Sequence, residues 1–348
     1  MATDSDSAAR VEQSHMFREA AEAASVVAGQ LSGNREVIAD LVRRLNAQRP
    51  GFVVTCSRGS SSTAATYGKY LIEKYLGIPT MPSALSINSL YQSQLSMTGA
   101  LCLAISQSGA SPDILAAATH ARSCGALTVA ITNNSDSPLA RVADVILPLL
   151  AGEEHSVAAT KTHLAAAAVL AQMVAAWSGD KALSAALPGL PEAMNKAWSV
   201  DWAEGVTALW QTSSMYVIGR GLGLGAAQEA ALKFKECCGI HAEALSAAEV
   251  RHGPMALLRK AFSIMVLGQN DESLDSVLAV AAMARSCQAN LVLAVPGYAD
   301  ALRADRYEPS LEPILLTQSC YRLLVELAFA RGFDPDTPMH LQKVTKTV

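Results

Sequence analysis

Apolar residues recur along this chain in short unbroken runs separated by longer stretches with helical spacing. VVTC from Val53, LCLAI from Leu101, LTVAIT from Leu127, MYVI from Met215, FSIMVL from Phe262 and LVLAV from Leu291 are the short runs. Continuous apolar runs of this length predict strands buried on both faces. The stretches between them predict helices. Strands alternating with helices predict an α/β fold whose parallel, doubly wound sheets carry helices on both faces. Phe17 to Leu45 reads as helix ahead of the first strand. Leu164 to Trp177 is the longest apolar stretch, contains Gln172, and reads as a buried helix too short to span a membrane.

The runs repeat. VVTCSRGSSSTAATYGKYLIEKYLGI, from Val53, aligns with MYVIGRGLGLGAAQEAALKFKECCGI, from Met215. A constant offset of 162 pairs Arg58 with Arg220, Gly59 with Gly221, Ala64 with Ala226 and Gly77 with Gly239. Further on it pairs Gln107 with Gln269 and Asp113 with Asp275. ARSC occurs twice, ending at Cys124 and Cys287, one residue out of register. A shared offset over so long a stretch predicts two copies of one domain rather than a chance likeness of alanine-rich helices. The expected organisation is a helical segment over 1–48, a first domain over 49–180, a linker over 181–199 with the breakers Pro188, Gly189 and Pro191, a second domain over 200–332 and a tail over 333–348.

Composition narrows the function. The 348 residues are 51% hydrophobic and 17% charged, ample for two cores and unlike a disordered chain. The net charge of -4 offers no basic platform for nucleic acid. An anionic substrate must then be held by a local site. The seven cysteines lack metal-ligand spacing, and Cys237 and Cys238 are adjacent, which suits neither a zinc knuckle nor a CxxC pair. Reduced thiols and a polar start, MATDSDSAARVEQ, without an apolar core of a signal peptide, lead us to expect a cytoplasmic protein.

Ligands on doubly wound sheets bind beyond the C-terminal ends of the strands. Two hydroxyl-rich turns lie there in the first domain. One runs through Gly59, Ser60 and Ser61; the other is Ser106-Gln107-Ser108-Gly109-Ala110-Ser111, with Ser111 at a helix N-cap and Pro112 at the first helical position. A helix start offers unpaired N–H groups and a favourable dipole, and serine hydroxyls donate to several oxygens, so the pair of turns reads as a phosphate cradle. The alternative is that these serines only cap and turn. In the second domain Gly268-Gln269-Asn270-Asp271-Glu272 replaces the serines, and its carboxylates would repel phosphate. One phosphate site per chain is expected.

Glu229, Lys233 and Glu236 fall at i, i+4 and i+7, on one face of a predicted helix. A solvated ion-paired face is one reading. The other follows from the apolar and small flanks, AALKF and CCGI: a charged face on a buried helix, with Glu236 as a proton shuttle. His252, before the Gly253-Pro254 break, is a candidate proton donor for sugar-ring opening.

The segment QEAALKFKECCGIHAEALSAAEVRHGP, with SQSG at Ser106 to Gly109 and VAATKT at Val157 to Thr162, resembles the sugar isomerase (SIS) family. It is similar to the isomerase half of glucosamine-6-phosphate synthase and to SIS-type glucosamine-6-phosphate deaminases. The resemblance implies two tandem SIS domains. It implies Glu236 as the base moving a proton between C1 and C2, His252 assisting ring opening in a neighbouring subunit's site, and Lys233 and Glu229 supporting the reactive end. Gly59, Ser60, Ser61, Ser106, Gln107, Ser108, Ser111, Val157 and Ala159 would contact the sugar phosphate. Ala159 stands where the family has a serine, removing one hydroxyl contact. The tail PMHLQKVTK resembles the family's closing segment and puts Lys343 on a lysine able to form a Schiff base; a free lysine is the alternative. A homodimer with a shared active site is implied, with no metal or redox cofactor, no nucleic acid and no membrane partner.

The synthase carries a glutamine-hydrolysing domain with an N-terminal cysteine, whereas this chain opens Met-Ala-Thr. The expectation is therefore conversion of glucosamine 6-phosphate to fructose 6-phosphate and ammonia. Rival readings are a ketose–aldose isomerase or fructosamine-phosphate deglycase, and a non-catalytic sugar-phosphate sensor. A third is a dinucleotide enzyme, from Gly221-x-Gly223-x-x-Ala226.

Overall fold

The computed structural model describes residues 4–343. The chain divides into two compact units. One comprises Ser25–Glu153 and Thr162–Pro188 with the chain from Gln342; the other comprises Met1–Ala24, Glu154–Lys161 and Gly189–Leu341.

The first unit holds a five-stranded parallel sheet. Its strands are β1 (Phe52–Ser57), β2 (Thr80–Pro82), β3 (Ala100–Ile105), β4 (Leu127–Thr132) and β5 (Val145–Pro148), in the order β2-β1-β3-β4-β5. The short apolar runs form the centre: every residue of β3 is buried. The buried alanines Ala117, Ala118 and Ala121 of the helix Pro112–Ser123 pack on one face, against Cys56, Cys102 and Ala104. Leu164 to Trp177 lies within the helix Lys161–Ser178 and is buried almost throughout.

The second unit holds a four-stranded parallel sheet of β6 (Ser214–Gly219), β7 (His241–Ser246), β8 (Ser263–Leu267) and β9 (Asn290–Ala294), in the order β7-β6-β8-β9. This repeats the order of β2-β1-β3-β4, and β6 begins 162 residues after β1, the offset of the sequence repeat. The helices that follow β1 and β6, Gly59–Leu76 and Gly223–Cys238, each stop at a glycine, Gly77 and Gly239.

Two local expectations change. The helix expected from Phe17 to Leu45 is two helices, His15–Gly33 and Arg35–Ala47. The break falls at Asn34, whose buried side-chain amide donates to the Pro148 carbonyl at 3.0 Å. The stretch expected as linker is itself largely helical, with Lys181–Ala186 capped by Asp180, whose carboxylate accepts the Leu183 N–H at 2.8 Å, and then Leu190–Ser199. Among the described residues no helix is long and apolar enough to cross a membrane.

Candidate active site

In an order 2-1-3-4-5 the strand order reverses between the first and third strands, and the crevice there is the usual ligand position of a doubly wound sheet. The two serine-rich turns leave the C-terminal ends of β1 and β3, the pair that flanks this point. Ser106 is buried, while Ser60, Ser61, Gln107, Ser108 and Ser111 are half-buried and Gly59 is exposed. Arg58 Nε donates to the buried Asp113 carboxylate at 2.8 Å and so ties the first turn to the helix that follows the second.

The second turn is shaped by its own backbone. Ser106 Oγ accepts the Gly109 N–H at 3.2 Å, and Ser108 Oγ accepts the Ala110 N–H at 3.3 Å. Gly109 has φ +61, and a Cβ there would lie 2.2 Å from Ser137 Oγ, so only glycine fits. Ser111 occupies the N-cap of Pro112–Ser123 without a side-chain cap bond. Its hydroxyl is not spent on capping, the role the bland reading gave it.

One contributor escaped the sequence. His163, buried in Lys161–Ser178, donates from Nδ1 to the Ser60 carbonyl at 2.9 Å and lies 3.2 Å from Thr63 Oγ1. A lone histidine on an apolar helix gives no local signal of the turn it braces. Lys343, the last described residue, is half-buried and belongs to this unit. The rest of the expected tail, beyond Lys343, lies outside the described residues.

The corresponding crevice of the second sheet is filled by the protein itself. Gln269, fully buried, donates to the Arg220 carbonyl at 2.9 Å, to Asp271 Oδ2 at 3.0 Å and to Ser273 Oγ at 2.9 Å. A Cβ on Gly223 would lie 2.4 Å from Gln269 Oε1. The glycines after β6 therefore make room for a glutamine side chain at the helix start, where a dinucleotide's pyrophosphate would have to sit.

The helix Gly223–Cys238 carries Glu229, Lys233 and Glu236 on one face, and that face is buried. Glu229 and Lys233 have essentially no exposed side chain; Glu236 keeps 21%. The solvated-face reading is thereby replaced. Lys233 Nζ lies 2.5 Å from Glu236 Oε2 and 3.5 Å from Glu229 Oε1. Burial opposes its charge, but the carboxylates of Glu229 and Glu236 outweigh burial and hold its pKa above the ordinary lysine value. Lys233 is thus a fixed ammonium. The Tyr321 hydroxyl, from the helix Glu312–Ala330, donates to Glu229 Oε1 at 2.8 Å. No pattern in sequence linked Tyr321 to that helix face.

The chain from Glu154 to Lys161, which carries Val157 and Ala159, packs into this same unit. Glu19 accepts the backbone N–H groups of His155 and of Ser156, the latter at 3.1 Å. Lys161 pairs with Glu22 at 2.8 Å, and the Asp336 carbonyl accepts the Val157 N–H at 3.2 Å. Asp336 also accepts His15 N–H and Met16 N–H through its carboxylate, each at 2.7 Å. His252 ends a short 3-10 turn, Glu249–His252, and is exposed. The structure thus gathers the candidate residues into two sets: the serine turns and Lys343 in one unit, and Val157, Ala159, Glu229, Lys233, Glu236 and His252 in the other.

The model of the SIS domain matches residues 51–176 and 208–295, covering both sheets. The chain belongs to the SIS-domain family. An SIS chain with this arrangement has known relatives. The glutamine–fructose-6-phosphate aminotransferase (isomerizing) of Aeropyrum pernix is 35% identical over 313 residues, 84% of this chain and 51% of that protein. This SIS chain spans about half the length of the curated relatives it matches. Among solved structures, a candidate phosphosugar isomerase of Silicibacter pomeroyi DSS-3 is 37% identical with a TM-score of 0.86, over 93% of this chain and 100% of that one. The C-terminal domain of glucosamine-fructose-6-phosphate aminotransferase from Francisella tularensis superposes with a TM-score of 0.83 over 93% of this chain and 98% of that one. At 24% identity the last likeness speaks for the fold alone.

Proposed function

We propose that this SIS protein is a sugar-phosphate isomerase whose substrate is an amino sugar phosphate, and that it converts glucosamine 6-phosphate and water to fructose 6-phosphate and ammonia. The observation that carries the proposal is Glu236: a partly exposed carboxylate beside a buried, permanently charged lysine. A sensor would need only the anion-binding turns; a buried ammonium beside a reachable carboxylate is what a proton transfer next to a carbonyl needs.

The turns after β1 and β3 hold the phosphate through backbone N–H groups and the hydroxyls of Ser60, Ser61, Ser106, Ser108 and Ser111, with Gln107. His252 assists opening of the ring, and a homodimer sharing the site would let it serve a neighbouring subunit. Glu236 takes the proton from C2 of the open-chain aldehyde, giving an enolamine, and returns it to C1. That step turns the aldehyde carbon into an alcohol and leaves an imine at C2. Water adds to C2, and the C–N bond breaks as ammonia leaves and the ketone forms. Lys233 holds Glu236 in place at 2.5 Å, and its charge favours the negative character that develops on the substrate. Lys343 is the residue able to capture an open-chain ketose as a Schiff base.

The test is incubation with glucosamine 6-phosphate, galactosamine 6-phosphate and glucose 6-phosphate, with ammonia and ketose measured together. Ammonia and fructose 6-phosphate released in equal amounts from glucosamine 6-phosphate are the expected result. Ketose formation without ammonia would leave a plain aldose–ketose isomerase in its place.

A further inference from the structure

Glu229 is fully buried, and a buried carboxylate persists only where donors and a counter-charge surround it. Two groups converge on the same oxygen, Oε1: the Tyr321 hydroxyl at 2.8 Å and the Lys233 ammonium at 3.5 Å. The hydroxyl lies closer to that oxygen than the ammonium does. Lys233 stands instead at 2.5 Å from Glu236 Oε2. The ammonium is thus shared unequally between two carboxylates, and it sits on the one that keeps access to solvent. Both carboxylates and the lysine ride on one helix, so the backbone alone allows either arrangement. Tyr321 comes from a different helix, Glu312–Ala330, and is itself buried, so its hydroxyl position is set by packing.

We propose that Tyr321 is a positioning residue for proton transfer: by occupying Glu229 Oε1 it keeps the Lys233 ammonium on Glu236. This rests on the assignment of Glu236 as the base. Without the hydroxyl, Glu229 would draw Lys233 toward itself, and Glu236 would lose the contact that fixes its orientation.

The experiment compares Tyr321→Phe, Glu229→Gln and the double variant as full chains, by crystal structure and by steady-state kinetics on glucosamine 6-phosphate. In Tyr321→Phe the Lys233 ammonium moves to Glu229 and out of hydrogen-bond distance of Glu236. Its kcat falls about tenfold while KM stays within about twofold, the size expected for loss of one hydrogen bond to a buried charge. In the Glu229→Gln background the Tyr321→Phe change costs less than about twofold, because a neutral amide no longer competes for the ammonium. Should Tyr321→Phe alone fail to fold, the comparison of Glu229→Gln with the double variant keeps the proposal falsifiable: a kcat loss of more than about twofold on adding Tyr321→Phe overturns it. A Lys233 that stays on Glu236 in Tyr321→Phe, or an equal kcat loss in both backgrounds, overturns it. If the unaltered protein turns over no sugar phosphate, the functional assignment fails, and the Lys233 position in the crystal structures decides the positioning role by itself.

Discussion

Lys233 and Glu236, three residues apart on one helix, meet at 2.5 Å with the ammonium buried and the carboxylate at the rim. The pair is the tightest contact in a row that runs from Tyr321 through Glu229 to Glu236. Its asymmetry sets its consequences.

Removing the cation from this row should cost far more than an ordinary surface ion pair. Lys233→Met leaves Glu229 buried without its counter-charge, at a cost of about 3–5 kcal/mol. Combining it with Glu229→Gln should recover part of that loss, since the buried charge goes too. Chemical denaturation of the three variants checks the order: Lys233→Met least stable, the double variant intermediate. A double variant less stable than Lys233→Met would contradict the assignment of Glu229 as a buried anion.

The serine turns should govern binding without governing chemistry. Ser108→Ala is expected to raise KM for the sugar phosphate about tenfold and to leave kcat within about twofold. Inorganic phosphate, a competitive inhibitor of the unaltered protein on this account, should inhibit the variant more weakly. Steady-state kinetics with and without added phosphate measures both.

Much of this was legible in the amino-acid order, and the boundary of legibility has a physical cause. Strands such as β3 are continuous apolar runs, and the repeat offset preserved their order, so the doubly wound sheets followed from local pattern. Glu229, Lys233 and Glu236 share a helix face, which the 3.6-residue period displays directly. What the pattern left open was whether that face met water; the answer came from Tyr321, 92 positions away on another helix. His163 bracing Ser60 and Glu19 holding the chain at His155 and Ser156 are likewise contacts between distant segments, and no local spacing encodes them. Asn34 broke a helix through a bond to Pro148, again a tertiary cause.

Glu19 gives a pH signature. Burial pushes its carboxyl above the ordinary 4.5, against the pull of the His155 and Ser156 N–H groups. A carboxyl with a raised folded-state pKa holds its proton longer in the folded protein than in the unfolded chain. Its contribution to stability is therefore present below about pH 4.5 and is lost as pH rises through the folded value. The Tm of the unaltered protein minus that of Glu19→Gln should fall as pH rises from the ordinary 4.5 through the higher folded value. A difference that grows with pH would contradict this placement of Glu19.

The thiols separate by burial. All seven cysteines are free, and Cys56, Cys102, Cys237, Cys238 and Cys320 are buried. Burial pushes Cys237 up to about 12, so its thiolate is scarce at neutral pH. Native protein treated with a thiol-specific disulfide reagent should label at Cys124 and Cys287, and the other five should react only after unfolding. Mass spectrometry of the labelled peptides reads the sites, and early labelling at Cys237 would contradict the packed arrangement around Lys233.

The most direct measurement is ammonia release from glucosamine 6-phosphate by the unaltered protein and by Glu236→Gln, with melting curves for both. The account predicts ammonia and fructose 6-phosphate in equal amounts from the former. It predicts a loss of about a thousandfold in the latter, the scale of a removed general base, with a lowered Tm that still leaves the variant folded at the assay temperature. Turnover that survives in Glu236→Gln would contradict it.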